Sequence, residues 1–246
     1  MRIGAINLKG LAGLAGLFIG GVSAGAVWAR DCTLRAAQYQ DLSAAYGHGA
    51  VKDGEWAHLR LTPRCKPIGR HDEVLTPPAG AVFEGPAPMV TPGGDYIFAV
   101  ESSLESGSRV LRYGRQQGAY IAGPWIGAQN RWLSLVAPVR VGNAAGFGVL
   151  VIDRPHLKGD LQLLSEVDGQ LVPRVIYQGV TNHRRGAANT VGGARLCDGE
   201  VSFVFATLDW ASVVRINVDT AAGTAHEAAR FSGVSDADFD RAMACE

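Results

Sequence analysis

Four stretches of the chain repeat one pattern of apolar and polar positions. Each starts at a glycine and runs into an apolar segment, with the glycines at Gly54, Gly94, Gly146 and Gly199. The first spacing is 40 residues and the next two are 52 and 53. From the later glycines run GDYIFAVESSLESGSRVLRYG, GFGVLVIDRPHLKGDLQLLSE and GEVSFVFATLDWASVVRINVD. Each reads as an apolar strand, a polar loop and a second strand ending near Leu111, Leu163 or Ile216. A third strand follows at the same offset in GAYIAGPWIG (118–127), GQLVPRVIYQG (169–179) and GTAHEAARFSG (223–233), bounded by glycine at both ends. Segments such as WLSLVAPV and NTVGGARL lead into the next register and supply a fourth strand.

Four short strands in a repeat of this length predict an all-β protein built like a β-propeller, with four or five blades. One four-stranded unit cannot bury both its faces, so neighbouring units must stack. The pattern divides residues 30–246, taken as a single domain, into units of about 36–85, 86–130, 131–185 and 186–233. The first unit is the most degenerate, with EWAHLRLT and AVFEG around a Pro- and Cys-containing middle. After Gly233 the run SDADFDRAM, with Ser235 as N-cap ahead of acidic residues, predicts a short C-terminal helix. A β-sandwich with long hairpins is the alternative architecture.

Composition agrees with a globular β protein: 47% hydrophobic and 19% charged residues, with 32 glycines and 11 prolines for tight turns. Lys+Arg and Asp+Glu are both 23, which gives no reason to expect nucleic acid as a partner. Residues 1–29 read as a signal peptide: Arg2 and Lys9 precede an uncharged Leu/Ala/Gly run that ends in Val27-Trp28-Ala29, a small-x-small cleavage site. The alternative is an uncleaved anchor; cleavage predicts no stable membrane insertion and a periplasmic or secreted protein. Export makes disulfides the expected state of Cys32, Cys65, Cys197 and Cys245, which have no C-x-x-C spacing. Three pairings are possible. Closure of a ring, which brings the termini together and makes the first and fourth units neighbours, favours Cys32–Cys245 and Cys65–Cys197.

The segments YGHGAVKDGEW, AVFEGPAP, IGAQNRWL, VIDRPHL, TNHRRG and VGGARLCD resemble bacterial secreted proteins with FG-GAP or VCBS repeats, over most of residues 37–217. The resemblance implies a propeller fold and export from a Gram-negative bacterium. Such repeats commonly carry a calcium-binding D-x-D-x-D-G turn. Here the corresponding turns, TPGGD (91–95) and RVGNAAG (140–146), keep almost none of the carboxylates, so no metal and no cofactor is expected.

Familiar catalytic motifs fail on context. Gly21 to Gly25 matches G-x-S-x-G but lies within the signal segment. His226-Glu227 begins H-E-x-x-H, but Arg230 occupies the second histidine position. Three polar clusters remain at unit loops or boundaries: Tyr46-Gly47-His48, Asp153-Arg154-Pro155-His156 and Asn182-His183-Arg184. Histidine can donate or accept, and arginine forks suit carboxylates, phosphates and sugar hydroxyls. Trp132, beside Arg131, and Trp210 could stack on a sugar or pack between blades, while Trp56 and Trp125 read as core. The candidate ligand-binding set is therefore His48, Arg131, Trp132, Asp153, Arg154, His156, Asn182, His183, Arg184 and Trp210. No catalytic residue is assigned. These residues predict an exported binding or interaction protein whose partner is an envelope glycan or protein. The alternative is a glycan hydrolase or lyase acting through His48, His156 and His183. Imidazoles gathered beside a carboxylate favour the enzyme; imidazoles bonded separately to backbone favour a scaffold.

Overall fold

The strand that best explains the architecture is FGVLVID, residues Phe147–Asp153, in which all seven residues are buried. A strand buried on both faces must lie between two other layers. Its alternate side chains do enter two different cores. Val149 and Val151 pack with Phe98, Val100, Val110 and Trp132, whereas Leu150 and Ile152 pack with Phe205, Val214 and Ile216. Each such fully buried aliphatic or aromatic side chain contributes roughly 1.5–3 kcal/mol, so the two faces together fix the order in which the sheets stack.

The computed structural model describes residues 32–65, 72–114, 120–142 and 146–245. The expected signal peptide, 1–29, lies outside them. The first sheet contains β1 (Thr33–Leu42), β2 (Glu55–Arg64), β3 (Glu73–Leu75), β4 (Ala81–Glu84), β5 (Met89–Val90), β6 (Ile97–Ser103), β7 (Gly107–Tyr113) and β8 (Tyr120–Ala122). Its main path is β1-β2-β4-β6-β7-β8, with β3 on β2 and β5 on β6. The second sheet is a meander of β9 (Leu133–Arg140), β10 (Phe147–Asp153), β11 (Asp160–Val167) and β12 (Gln170–Tyr177). The third holds β13 (Val180–Thr181), β14 (Gly193–Cys197), β15 (Glu200–Thr207), β16 (Ser212–Asp219) and β17 (Thr224–Ser232), in the order β13-β15-β16-β17 with β14 also on β15. One helix, α1 (Asp236–Met243), follows. The protein is all-β with one short helix.

The glycine-led apolar runs of the sequence are β2, β6, β10 and β15. On its outer side β6 pairs with β5 at Ile97–Phe98 and with β4 at Glu101–Ser103. The third sheet repeats this split, since β15 pairs with β14 along most of its length and with β13 at Ala206–Thr207. In the second sheet the same edge is one strand, β9, which pairs along all of β10 across a bulge at Leu150/Val151.

The layers stack in chain order. A third core lies on the other face of β6 and β7, where Ile97, Ala99, Leu111 and Tyr113 meet Leu34, Tyr39, Leu59, Leu61 and Phe83. The outer face of the third sheet, carrying Val204, Ala206 and Val213, is covered by Phe239 and Ala242 of α1. A closed ring of blades is not shown among the described residues: the helix, not the first unit, covers the last sheet.

That covering also corrects the disulfide pairing. The bonds are Cys32–Cys65 and Cys197–Cys245, not Cys32–Cys245 and Cys65–Cys197. Thr33 lies opposite Arg64 in the β1–β2 pair, so Cys32 and Cys65 are the next residues outward and their Cα atoms are 4.0 Å apart. At the other end α1 brings the chain back to β14, where Arg195 donates to the Ala244 carbonyl at 2.9 and 2.7 Å beside the Cys197–Cys245 bond. Each bond closes a local segment. No helix among the described residues is long and apolar enough to cross a membrane.

Candidate functional site

Loops from all the layers converge at one end of the stack. The loop between β1 and β2 carries His48, and Glu55 fixes it: its carboxylate accepts from the backbone N–H groups of Gly47 at 2.7 Å and Gly49 at 2.9 Å, on either side of the histidine. Tyr46 in the same loop accepts from the Asn130 N–H at 2.9 Å, tying it to the segment before β9. Burial first, then the charge of Glu84, pushes the Tyr46 phenol up to about 12, so it serves as a neutral partner. On the far side Lys52 N–H donates to the Ala187 carbonyl and Gly186 N–H donates to that of Ala50, both at 3.0 Å.

The loop between β10 and β11 is equally constrained. Arg154 has a left-handed φ of 50°, and its carbonyl accepts from the N–H groups of Leu157, Lys158 and Gly159. The Arg154 N–H donates to the Trp132 carbonyl at 2.9 Å. Gly159 is required where the loop touches the third sheet: its φ is +66° and a Cβ there would stand 2.5 Å from the Val180 carbonyl oxygen. Asp153, buried at the end of β10, accepts from Arg154 at 2.9 and 2.6 Å and lies 3.6 Å from Lys158. This ion pair stiffens its own loop and does not pin neighbouring units.

Together these loops enclose an open cavity of about 610 Å³. Six of the ten residues expected from the sequence line it: His48, Arg131, Trp132, Arg154, His156 and Trp210. Asp153, Asn182, His183 and Arg184 stand behind the wall. Asp153 holds Arg154, His183 supports His156, and Arg184 covers the Trp210 ring with its guanidinium carbon 3.8 Å from the ring centre. Asn182 is buried, and its side-chain oxygen has no partner among the described residues. Trp132 belongs to the core between the first two sheets and is buried, while also lining the cavity. Trp56 packs against the core of the first sheet, while Trp125 sits partly exposed under Arg109, 4.3 Å from its guanidinium.

Two histidine arrangements give the site its chemistry. His183 is fully buried, and its Nε2 lies 2.9 Å from the Ala187 carbonyl. A carbonyl only accepts, so that nitrogen carries the hydrogen, and the neutral ring offers Nδ1 as an acceptor. His156 Nε2, 3.0 Å away, must then donate, which leaves His156 Nδ1 as an unpartnered lone pair among the described residues. Burial, then the charges of His183, Arg185 and His48, holds His156 down at about 4, and burial lowers His183 as well. Both rings are neutral near neutral pH.

The second arrangement was not anticipated. His48 Nδ1 lies 2.8 Å from Oε1 of Glu84, a residue only 1% exposed, whose Oε2 accepts from Ser102 Oγ at 2.5 Å. The carboxylate holds the hydrogen on Nδ1, so Nε2 is left to a ligand. The sequence signal for Glu84 was a single acid closing the apolar run AVFE. Arg185, Leu157 and Leu208, also in the wall, carried no distinct signal. Among the described residues no three His, Cys, Asp or Glu side chains are grouped to hold a metal ion. His156 and His183 use their facing nitrogens on each other.

No known family, curated protein or solved structure matches this chain. The site therefore has to be read from its own chemistry.

Proposed function

We propose that this is an exported binding protein of propeller-like build, and that the loop-face cavity takes its ligand, an envelope glycan or an envelope protein segment. The observation that supports this reading most is the convergence of five separate loops on one cavity that presents side chains able to grip polar groups next to tryptophan. Structural histidines and arginines scattered over a stack of sheets have no need to gather. Export accounts for both disulfides and for the apolar N-terminal segment. The propeller-like build, of the kind found in FG-GAP and VCBS repeats, rests on the recurring glycine register and the stacked meanders.

Titrating the protein with a panel of envelope-derived glycans and peptides tests the reading. Binding followed by the fluorescence of Trp210 and Trp132 should weaken in Arg131→Ala and in His156→Gln, whose amide can still donate to His183 Nδ1, at unchanged melting temperature. Binding that survives both substitutions, or none across the panel, would overturn it. His156 is the better choice for substitution, because His183 is fully buried and its loss would disturb packing.

One observation favours the second reading, a hydrolase or lyase. A buried carboxylate orienting an imidazole whose other nitrogen faces a cavity is the arrangement of a general base. Release of product from a bound glycan, abolished by His48→Ala with binding retained, would establish it.

A further inference from the structure

The wall of the cavity carries several guanidinium donors and no carboxylate. Among its eleven residues are three arginines, two histidines and an asparagine, and none is Asp or Glu. The two acids closest behind the wall are already engaged. Asp153 neutralises Arg154 and Lys158, and Glu84 is bonded to His48 and Ser102. Arg131, by contrast, donates among the described residues only to the carbonyl of its neighbour Asn130, at 2.9 Å. Arg185 makes no hydrogen bond or ion pair with any described residue.

Four arginines outside the cavity sit on carboxylates, Arg60 on Asp72, Arg109 on Glu101, Arg112 on Glu166 and Arg230 on Glu227, and Arg195 and Arg215 donate to the backbone carbonyls of Ala244 and Ala242. The chain as a whole is balanced, with 23 basic and 23 acidic residues, so unpaired guanidinium groups at the cavity are not a by-product of a basic protein. Guanidinium groups without carboxylates in a confined space match a ligand that brings acceptors and negative charge.

We propose that the cavity binds an oxyanion (a carboxylate, sulfate or phosphate group) carried on a saccharide ring. Arg131 and Arg185 grip the anion. His48 stands in the same wall with its Nδ1 held by Glu84. Trp210, held from behind by Arg184, gives the ring an apolar flank. This deepens the binding reading and rests on it.

The test is a tryptophan-fluorescence titration of the whole chain at low and raised salt with four probes: oligogalacturonate, its full methyl ester, a sulfated oligosaccharide and a hexose phosphate. The acid and its ester share the same rings and differ in charge, so the pair isolates the anion. The acid should bind and the ester should bind at least about tenfold more weakly, the range expected when a charge-assisted bond is lost. Arg131→Gln and Arg185→Gln should each weaken the acid by about ten- to hundredfold without moving the melting temperature. Arg35→Gln, an exposed arginine on β1 away from the cavity, should change nothing. The sulfate and phosphate arms then identify which oxyanion is preferred. Equal binding of acid and ester, or unchanged binding in both cavity variants, overturns the oxyanion proposal and leaves the cavity as a site for neutral ligands. If none of the charged probes binds, the proposal fails; a neutral envelope fragment that still binds at the cavity would preserve the broader reading.

Discussion

Replacing His48 with alanine asks whether the buried Glu84 carboxylate is what holds the β1–β2 loop at the cavity's edge. Glu84 is 1% exposed and its Oε1 accepts from His48 Nδ1 at 2.8 Å. Without the imidazole that oxygen keeps its charge in the core and loses its donor. Removing one partner of a buried charged pair costs about 3–5 kcal/mol. The His48 side chain is 12% exposed and Ser102 remains on the other oxygen, which places the loss at the low end, about 3 kcal/mol. For a chain of this size about 2–4 °C of melting temperature corresponds to each kcal/mol, so the transition should fall by roughly 6–12 °C. Glu84→Gln should cost less, about 1–2 kcal/mol, because an amide oxygen can still accept from Nδ1. The double variant carries no buried charge to strand, so its loss should be smaller than the sum, with a coupling of about 1–3 kcal/mol. Urea unfolding of the four proteins, followed by circular dichroism, measures each value. Losses that add to within about 0.5 kcal/mol would show that the two side chains do not depend on each other.

Three further outcomes are expected. Gly159→Ala should destabilise by about 1–3 kcal/mol through the left-handed φ and the clash with the Val180 carbonyl, and an unchanged urea midpoint would contradict the contact described. Cys197→Ser with Cys245→Ser should cost about 4 kcal/mol, from the chain entropy released when a cross-link spanning 48 residues is opened, and peptide mapping without reductant should recover the Cys32–Cys65 and Cys197–Cys245 peptides. The His156–His183 pair should make stability fall with acid. The folded protein holds His156 at about 4, below its ordinary 6.5, so the unfolded chain takes up protons first. Stability is therefore full above 6.5 and is lost as pH falls toward 4. His156→Gln should flatten that slope, and a wild-type melting temperature that did not move across the interval would refute the assignment.

Much of this fold was legible in the chain because its central strands announce themselves as continuous apolar runs punctuated by glycine. The runs beginning after Gly94, Gly146 and Gly199 became β6, β10 and β15, and Ser235 does start the helix. The loops holding Arg154-Pro155-His156 and Trp210 could be placed on one rim because equivalent loops of a repeat open on the same side. What was not legible depended on contacts between distant segments. The short β4 pairs with both β2 and β6, which fuses the first two units into one sheet, and nothing in AVFE specifies two partners. The disulfides were misassigned for the same kind of reason: the pairing expected rested on ring closure, and α1 covers the face that closure would have needed. Glu84 was overlooked since a lone acid after three apolar residues looks like a strand end. Its meaning comes from His48, 36 residues earlier in the chain.

The central claim is that the five converging loops form one binding site, and hydrogen exchange with and without oligogalacturonate tests it most directly. Amides in 46–53, 127–132, 154–159, 182–191 and 208–211 should gain protection together while the exposed face of β12 and the strand β17 stay unchanged. Protection confined to another surface, or no change in those five loops at saturating probe, would contradict the account.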